Sequence, residues 1–161
     1  MKKALVRKMK KTLVRKPTKI LCYIDFSKQS PYLVDYAYQL SKLIDAELFV
    51  LHTVTDIKNA AGFYVPHINT DKLEEEVVQA ARDKMYAICS QVVGDKIDAG
   101  HRLISRGNPI DVINDMIKKN GIELLVFSKD VSTGTLSQWK GDYVEKFMKN
   151  PLIPFLVLPV E

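Results

Sequence analysis

Few places along this 161-residue chain gather side chains able to do chemistry. Asp25 follows the apolar run Ile20-Leu21-Cys22-Tyr23-Ile24 and precedes Ser27 and Ser30. A carboxylate so placed either meets a ligand beyond a strand end or bonds the amides of Ser27 or Lys28 within its own turn. His52 closes a second apolar run, Leu48–Leu51, and no Cys, Asp or Glu falls at metal-ligand spacing with His67 or His101. His52 therefore reads as a structural residue at a strand end, and no metal is expected. Gly107-Asn108-Pro109 is a turn into a helix, and a polar stretch follows Phe127. The chain lacks a G-x-S-x-G elbow, an H-E-x-x-H pair and a G-x-x-x-x-G-K-S/T loop, so no catalytic residue is expected.

The elements that must position these residues follow from the apolar patterning. Ile20–Ile24, Leu48–Leu51 and Leu124–Phe127 are continuous apolar runs without polar alternation, as expected of strands covered on both faces. His101–Ser105 is a less apolar strand, which suits a sheet edge, and Phe155–Leu158 is the last. Ser30-Pro31 predicts a helix start with Ser30 as N-cap, followed by Leu33, Ala37, Leu40 and Ile44 at helical spacing. Thr70 precedes a second helix with Asp71, Glu74, Glu75 and Glu76 in its first turns, acids that suit the positive helix end. Its apolar stripe is Leu73, Val77, Ala81, Met85, Ile88 and Val92. Asn108-Pro109 opens a third helix carrying Ile110, Ile113 and Ile117, and Asn120-Gly121 closes it. A final helix carries Tyr143, Phe147 and Met148; Trp139, Tyr143 and Phe147 recur every four residues as a core stripe or a partner-facing one.

Strand–helix alternation predicts an α/β fold, a five-stranded parallel sheet with helices on both faces. Pattern alone leaves a flavodoxin-like order and the Rossmann-like order 3-2-1-4-5 open. Either places a crevice beyond the carboxyl ends of the strands, at Asp25, His52, Gly107 and the stretch after Phe127. The connection Asp56–Asn69, with Gly62-Phe63-Tyr64-Val65-Pro66, is long enough to close over that crevice or reach a neighbouring subunit.

Composition bounds the rest. With 47% hydrophobic and 27% charged residues, 7 Gly and 7 Pro, the chain is neither mostly disordered nor collagen-like. The net charge of +5 is unevenly placed: nine of the 24 basic residues lie at or before Lys19 and no acidic one does, leaving 15 basic against 19 acidic beyond it. Residues 1–18 are expected to be a basic, disordered arm and 19–161 the domain. The arm repeats itself, Lys2–Met9 then Lys10–Pro17, and a helix there would gather Leu5, Met9 and Leu13 on one side. That pattern fits an anionic membrane or nucleic acid bound through residues 2–16, while its small apolar area fits a solvated tail. Met9 is also a possible translation start. Cys22 and Cys89 sit in apolar runs and read as buried, reduced thiols. With no signal-peptide apolar centre and no span-length apolar run, the expected compartment is the cytoplasm.

These pieces resemble the universal stress protein family. Lys19–Ser27 with Ser30 is similar to its opening strand and Asp-x-Ser-x-x-Ser turn, and Leu48–Val54 to its second strand, which ends in His. Ser105–Pro109 with Ile113 resembles its Gly-x-Pro turn, and Glu123–Phe127 and Leu156–Val160 its last two strands. The resemblance implies the order 3-2-1-4-5, a regulatory stress-response role without catalysis, and homodimers paired through the C-terminal strand, here Phe155, Val157 and Val160. It also implies ATP or AMP as ligand, with Asp25 and the backbone of Thr53 at the base and Gly107 nearby.

The family's phosphate run, Gly-x-x-Gly-x9-Gly-Ser/Thr, departs here: Ser128 and Val131 replace the first two glycines, Gly141 keeps the third, and Asp142 replaces the Ser/Thr. Val131 is poorly suited to positive φ, and Asp142 with Asp130 brings carboxylates to where phosphate oxygens would lie. Lys129 and Lys140 offset part of that repulsion. The expectation is a protein that does not bind ATP conventionally, with no cofactor firmly assigned.

Overall fold

The computed structural model describes residues 15–54, 56, 70–130 and 143–160. The arm through Val14, nearly all of the long connection before the second helix, and Val131, Trp139, Gly141 and Asp142 lie outside the described residues. The elements in chain order are β1 (Lys19–Tyr23), α1 (Ser30–Leu43), β2 (Glu47–Val54) and α2 (Thr70–Val93). After two short 3-10 turns come β3 (Arg102–Arg106), α3 (Pro109–Asn120), β4 (Leu124–Asp130), α4 (Tyr143–Lys149) and β5 (Phe155–Val160). The strands form one sheet, ordered β3-β2-β1-β4-β5 and parallel throughout. Of the two orders left open by pattern, this is the Rossmann-like one.

Central β1 explains its own composition. Ile20, Cys22 and Ile24 enter a core with Leu33, Val34 and Ala37 of α1 and Met85, Ile88 and Cys89 of α2. Leu21 and Tyr23 enter the other core with Ile113 of α3 and Phe147 of α4. Side chains alternate between faces along a strand, so a strand covered twice must be apolar at every position. The edges are β3, half-buried except for exposed Arg106, and β5.

Several boundaries differ from the sequence reading. Gln29 is the residue preceding α1, and no side chain caps it. Ser30 is already helical and buried, its hydroxyl turned 3.4 Å from Asp25 Oδ1, so Ser30 is not the N-cap. β4 runs on to Asp130 because its partner continues: Ser128, Lys129 and Asp130 pair with Leu158, Pro159 and Val160. His101 leaves β3 for a 3-10 turn, its ring 4.3 Å from that of Phe49. Leu73 and Met148 are exposed rather than core, whereas Phe147 is buried against Phe127 and Phe155. The cap of α3 forms as its residues require: Asn108 Oδ1 accepts from the Ile110 amide at 2.9 Å, and Gly121 ends the helix at φ 68°.

The N-terminal boundary is fastened. Glu123 accepts from the Thr18 amide and hydroxyl at 2.7 and 2.6 Å and pairs with Arg15 at 3.3 Å. Those two bonds from Thr18, more than the nearby cations, hold the Glu123 carboxyl below its usual range.

Candidate functional site

The carboxyl end of the sheet is built from the exits of β1, β2, β3 and β4. At the β1 exit, Ile24 still donates its amide to Leu51 at 2.9 Å. The chain then bends through Phe26 at φ 62°, an unusual conformation for a residue with a large side chain. Asp25 Oδ1 accepts from the Ser27 amide at 2.9 Å. The carboxylate thus does for its own turn what an Asp at such a site commonly does.

At the β2 exit, His52 Nδ1 lies 2.8 Å from the Ile24 carbonyl, so this nitrogen carries the proton and donates. The His52 ring stacks on Phe26 with centroids 3.8 Å apart, and Lys84 of α2 lies 5.2 Å from the Phe26 centroid. Burial, opposed by the Ile24 bond and Asp25, lowers the His52 pKa. His52 is therefore a strut between β1, β2 and α2, consistent with its structural reading. Thr53, on the other face, shares a 2.8 Å hydrogen bond between its hydroxyl and the buried Tyr23 hydroxyl.

At the β3 exit, Gly107 adopts φ 121° and donates its amide to the Val54 carbonyl at 3.1 Å. A Cβ there would meet only Val112 at ordinary contact distance, so the backbone angle is what selects glycine. Just before it, Arg106 Nη1 donates to the buried Glu74 at 2.8 Å. At the β4 exit, Ser128 lies within the strand.

A profile of the Universal stress protein family matches residues 17–159. The chain belongs to that family. No curated protein sequence matches it significantly. Among solved structures, universal stress protein UspA from Lactobacillus plantarum is 21% identical, covers 89% of this chain and 99% of its own, and superposes with a TM-score of 0.63. A protein of the universal stress protein family from Burkholderia pseudomallei is 15% identical, covers 89% and 96%, and gives 0.61. A universal stress protein in complex with cAMP is 18% identical, covers 91% and 100%, and gives 0.52. Identities this low establish the shared α/β fold.

On this universal stress protein scaffold, Asp25, Thr53, Gly107 and Ser128 converge on the carboxyl end of the sheet, while Val131, Gly141 and Asp142 lie outside the described residues. At the β5 edge, Phe155 and Val157 pack inward against the Phe127 core, and Leu156 is the exposed apolar side chain. The sequence reading missed the Glu74–Arg106 pair. Its signal was present: Glu74 stands seven residues before Ala81, in the row that continues to Met85 and Ile88, and so on the buried stripe. Among the described residues, no group of His, Cys, Asp or Glu is arranged to hold a metal, and no helix is long and apolar enough to cross a membrane.

Proposed function

We propose that this protein is a regulatory, non-catalytic member of the family that works as a cytoplasmic homodimer and does not hold ATP in the conventional way. The observation that carries the reading is the course of β4. Where the phosphate run would open into a glycine turn, Ser128, Lys129 and Asp130 remain paired with Leu158, Pro159 and Val160. A phosphate cradle needs successive amides turned toward one anion, and ladder pairing points them sideways into the sheet.

The sequence beyond agrees, with Val131 and Asp142 at positions that need glycine and a hydroxyl. Two like charges about 4 Å apart repel by roughly 1 kcal/mol in water and about 4 kcal/mol near a protein surface. The upper figure, about a thousandfold in affinity, is enough to turn a micromolar Kd for a triphosphate into a millimolar one. Thr53 does not separate the readings, since its hydroxyl is engaged by Tyr23 while its backbone, the part that the resemblance assigns to a base, is not involved in that bond.

A single-phosphate nucleotide is the second reading, favoured by the cAMP carried by one similar structure. AMP or cAMP needs Asp25, Thr53 and Gly107 more than it needs the missing glycines. Titration calorimetry with ATP, ADP, AMP and cAMP separates the cases. No ATP heat at 100 µM protein is the expected result (roughly the concentration needed to see a Kd near 100 µM); micromolar ATP affinity overturns the reading.

Dimerisation is supported by the β5 edge, which offers unpaired backbone beside exposed Leu156. Light scattering on a sizing column is expected to give twice the chain mass, and a monomer at micromolar concentration refutes that part. The buried thiols of Cys22 and Cys89 support a reducing compartment.

A further inference from the structure

A helix packed on a sheet usually turns a charged or polar side to water, and α1 does not. Its Leu33, Val34, Ala37 and Ser41 are buried, and Tyr38 faces α2, where Lys96 just beyond that helix lies 6.0 Å from the ring. At about 3.6 residues per turn, Tyr32, Tyr36, Gln39 and Leu43 fall together on the flank turned away from α2. All four are exposed, Tyr32 to 53%, Tyr36 to 38% and Leu43 to 82%, the most of any large apolar side chain among the described residues. The Tyr32 and Tyr36 rings stand 6.5 Å apart along this flank.

The four residues are spaced four, three and four along the chain. That is the spacing of the a and d positions of a coiled-coil seam, the line along which one helix meets another. The seam is also symmetrical end to end. Against a second α1 laid antiparallel, Tyr32 meets the partner's Leu43 and Tyr36 meets the partner's Gln39, and a two-fold axis repeats both contacts. The charges obey the same symmetry. Asp35 and Lys42 lie seven residues apart, beside the seam on the side nearer α2, so the antiparallel arrangement sets Asp35 opposite the partner's Lys42 twice over. Within one chain, Gln39 Nε2 donates to Asp35 at 2.8 Å, and the Lys42 ammonium lies 5.3 Å from the Tyr38 ring.

A parallel arrangement would match Gln39 with itself and bring Leu40, not a charge, toward Asp35. The antiparallel one is therefore the arrangement that both the seam and its flanks fit. Taking a whole tyrosine as about 200 Å², the exposed parts of Tyr32 and Tyr36 come to about 110 and about 75 Å². With Leu43, Gln39 and the charged flanks, two copies bury on the order of 1,000 Å², the lower end of specific interfaces. An interface of that size associates and separates with concentration.

We propose that the Tyr32–Tyr36–Gln39–Leu43 flank of α1 is a self-association surface, on which a second copy of this chain docks through its own α1, antiparallel, with Asp35 and Lys42 paired across the axis. The surface is separate from the β5 edge and holds whether or not that edge pairs. Where both pair, two different two-fold interfaces carry the assembly past a dimer.

The test is sedimentation equilibrium of the full chain from about 5 to about 500 µM, a range that spans weak association. The average mass is expected to climb past the dimer with concentration, or past the monomer if β5 does not pair. Leu43→Asp is expected to weaken that step at least about tenfold, by placing a carboxylate in the apolar seam. Asp35→Lys alone and Lys42→Asp alone each set like charges across the axis and are expected to weaken it about tenfold, whereas the two together return it to within about threefold of the parent. Raising salt narrows those differences. Melting curves on each variant establish that it is folded, and Tyr36→Asp replaces Leu43→Asp if that one is not. A parent that is monomeric throughout, a Leu43→Asp protein that associates like the parent, or a double reversal as weak as the single ones each overturns the proposal. A dimer of constant mass in the parent and in Leu43→Asp alike overturns it and leaves the β5 pairing standing.

Discussion

Glu74 and Arg106 meet at 2.8 Å, joining the first turns of α2 to the last residue of β3 directly before the Gly107 turn. The Glu74 side chain is 5% exposed and that of Arg106 is 44% exposed, so the carboxylate bears most of the desolvation and the guanidinium keeps water on one side. The pair fixes where α2 begins relative to the crevice turn.

Replacing Glu74 by Gln keeps the shape and removes the charge. Breaking a fully buried pair costs about 3–5 kcal/mol, and the hydration of Arg106 reduces this to about 1–2 kcal/mol. The expected result is a melting temperature lower by about 2–8 °C for a domain of this size. Arg106→Lys is expected to lower it less, since an ammonium can still reach the carboxylate. A Glu74→Gln protein that melts with the parent would mean that the pair contributes nothing to stability.

His52 gives a pH dependence with a definite sign. Its folded pKa lies below the ordinary imidazole value near 6.5, chiefly through burial. Between the two values the unfolded chain binds more protons than the folded one, so stability rises with pH there. The contribution is present in full above about pH 7 and is lost as pH falls through 6.5 toward the folded value. Urea midpoints measured from pH 8 to pH 5 are expected to fall, and His52→Gln is expected to flatten the part of the fall between pH 7 and pH 5.5. A parent and a variant with parallel profiles would place the titration elsewhere.

What the sequence revealed and what it hid divide along physical lines. β1, β2 and β4 were legible because the stretches buried on both faces, Ile20–Ile24, Leu48–Leu51 and Leu124–Phe127, run without polar alternation, and the α3 caps because Asn-Pro and Asn-Gly have few other uses. The strand order was not legible from periodicity, which is the same for either winding; the family resemblance supplied it. Ser30 misled because Ser before Pro has the composition of a cap, whereas its hydroxyl faces Asp25 across the turn. Glu74 misled because three consecutive glutamates look alike until the phase of the helix decides which one turns inward. At the crevice, Asp25 and Gly107 were placed correctly at strand exits, but the Tyr23–Thr53 and Phe26–His52 contacts join residues 26 to 30 positions apart and leave no local signature.

Gly121 isolates a backbone effect. It ends α3 at φ 68° and ψ 38°, and a Cβ built there has nothing within 4 Å. Gly121→Ala therefore adds no clash with neighbours and leaves the left-handed conformation as the cost, about 1 kcal/mol. A melting temperature lower by about 2–4 °C is expected. Gly100→Ala, also open around its Cβ and without a positive φ, is expected to change little by comparison. Equal losses in the two variants would show that chain position rather than φ governs the effect.

The two thiols differ in kind from the surface lysines, because their chemistry is suppressed by where they sit. Burial raises the Cys22 pKa far out of the usual thiol range, and it pushes Cys89 up to about 11 despite the opposing charge of Arg102. At pH 8 an ordinary thiol near pKa 8.5 is about one-quarter thiolate, whereas Cys89 is about one-thousandth. Alkylation by iodoacetamide of the native protein should accordingly run at least on the order of a hundredfold slower than that of a free cysteine, and Cys22 should lag behind Cys89. In denaturant both should react at the ordinary rate, which mass spectrometry reads as two added carbamidomethyl groups. Fast labelling of Cys22 in the native protein would mean that β1 and α1 separate readily, since Cys22 has no exposed surface and its thiol faces the Leu33 carbonyl at 3.9 Å. That outcome would contradict the burial of β1 at the centre of the sheet.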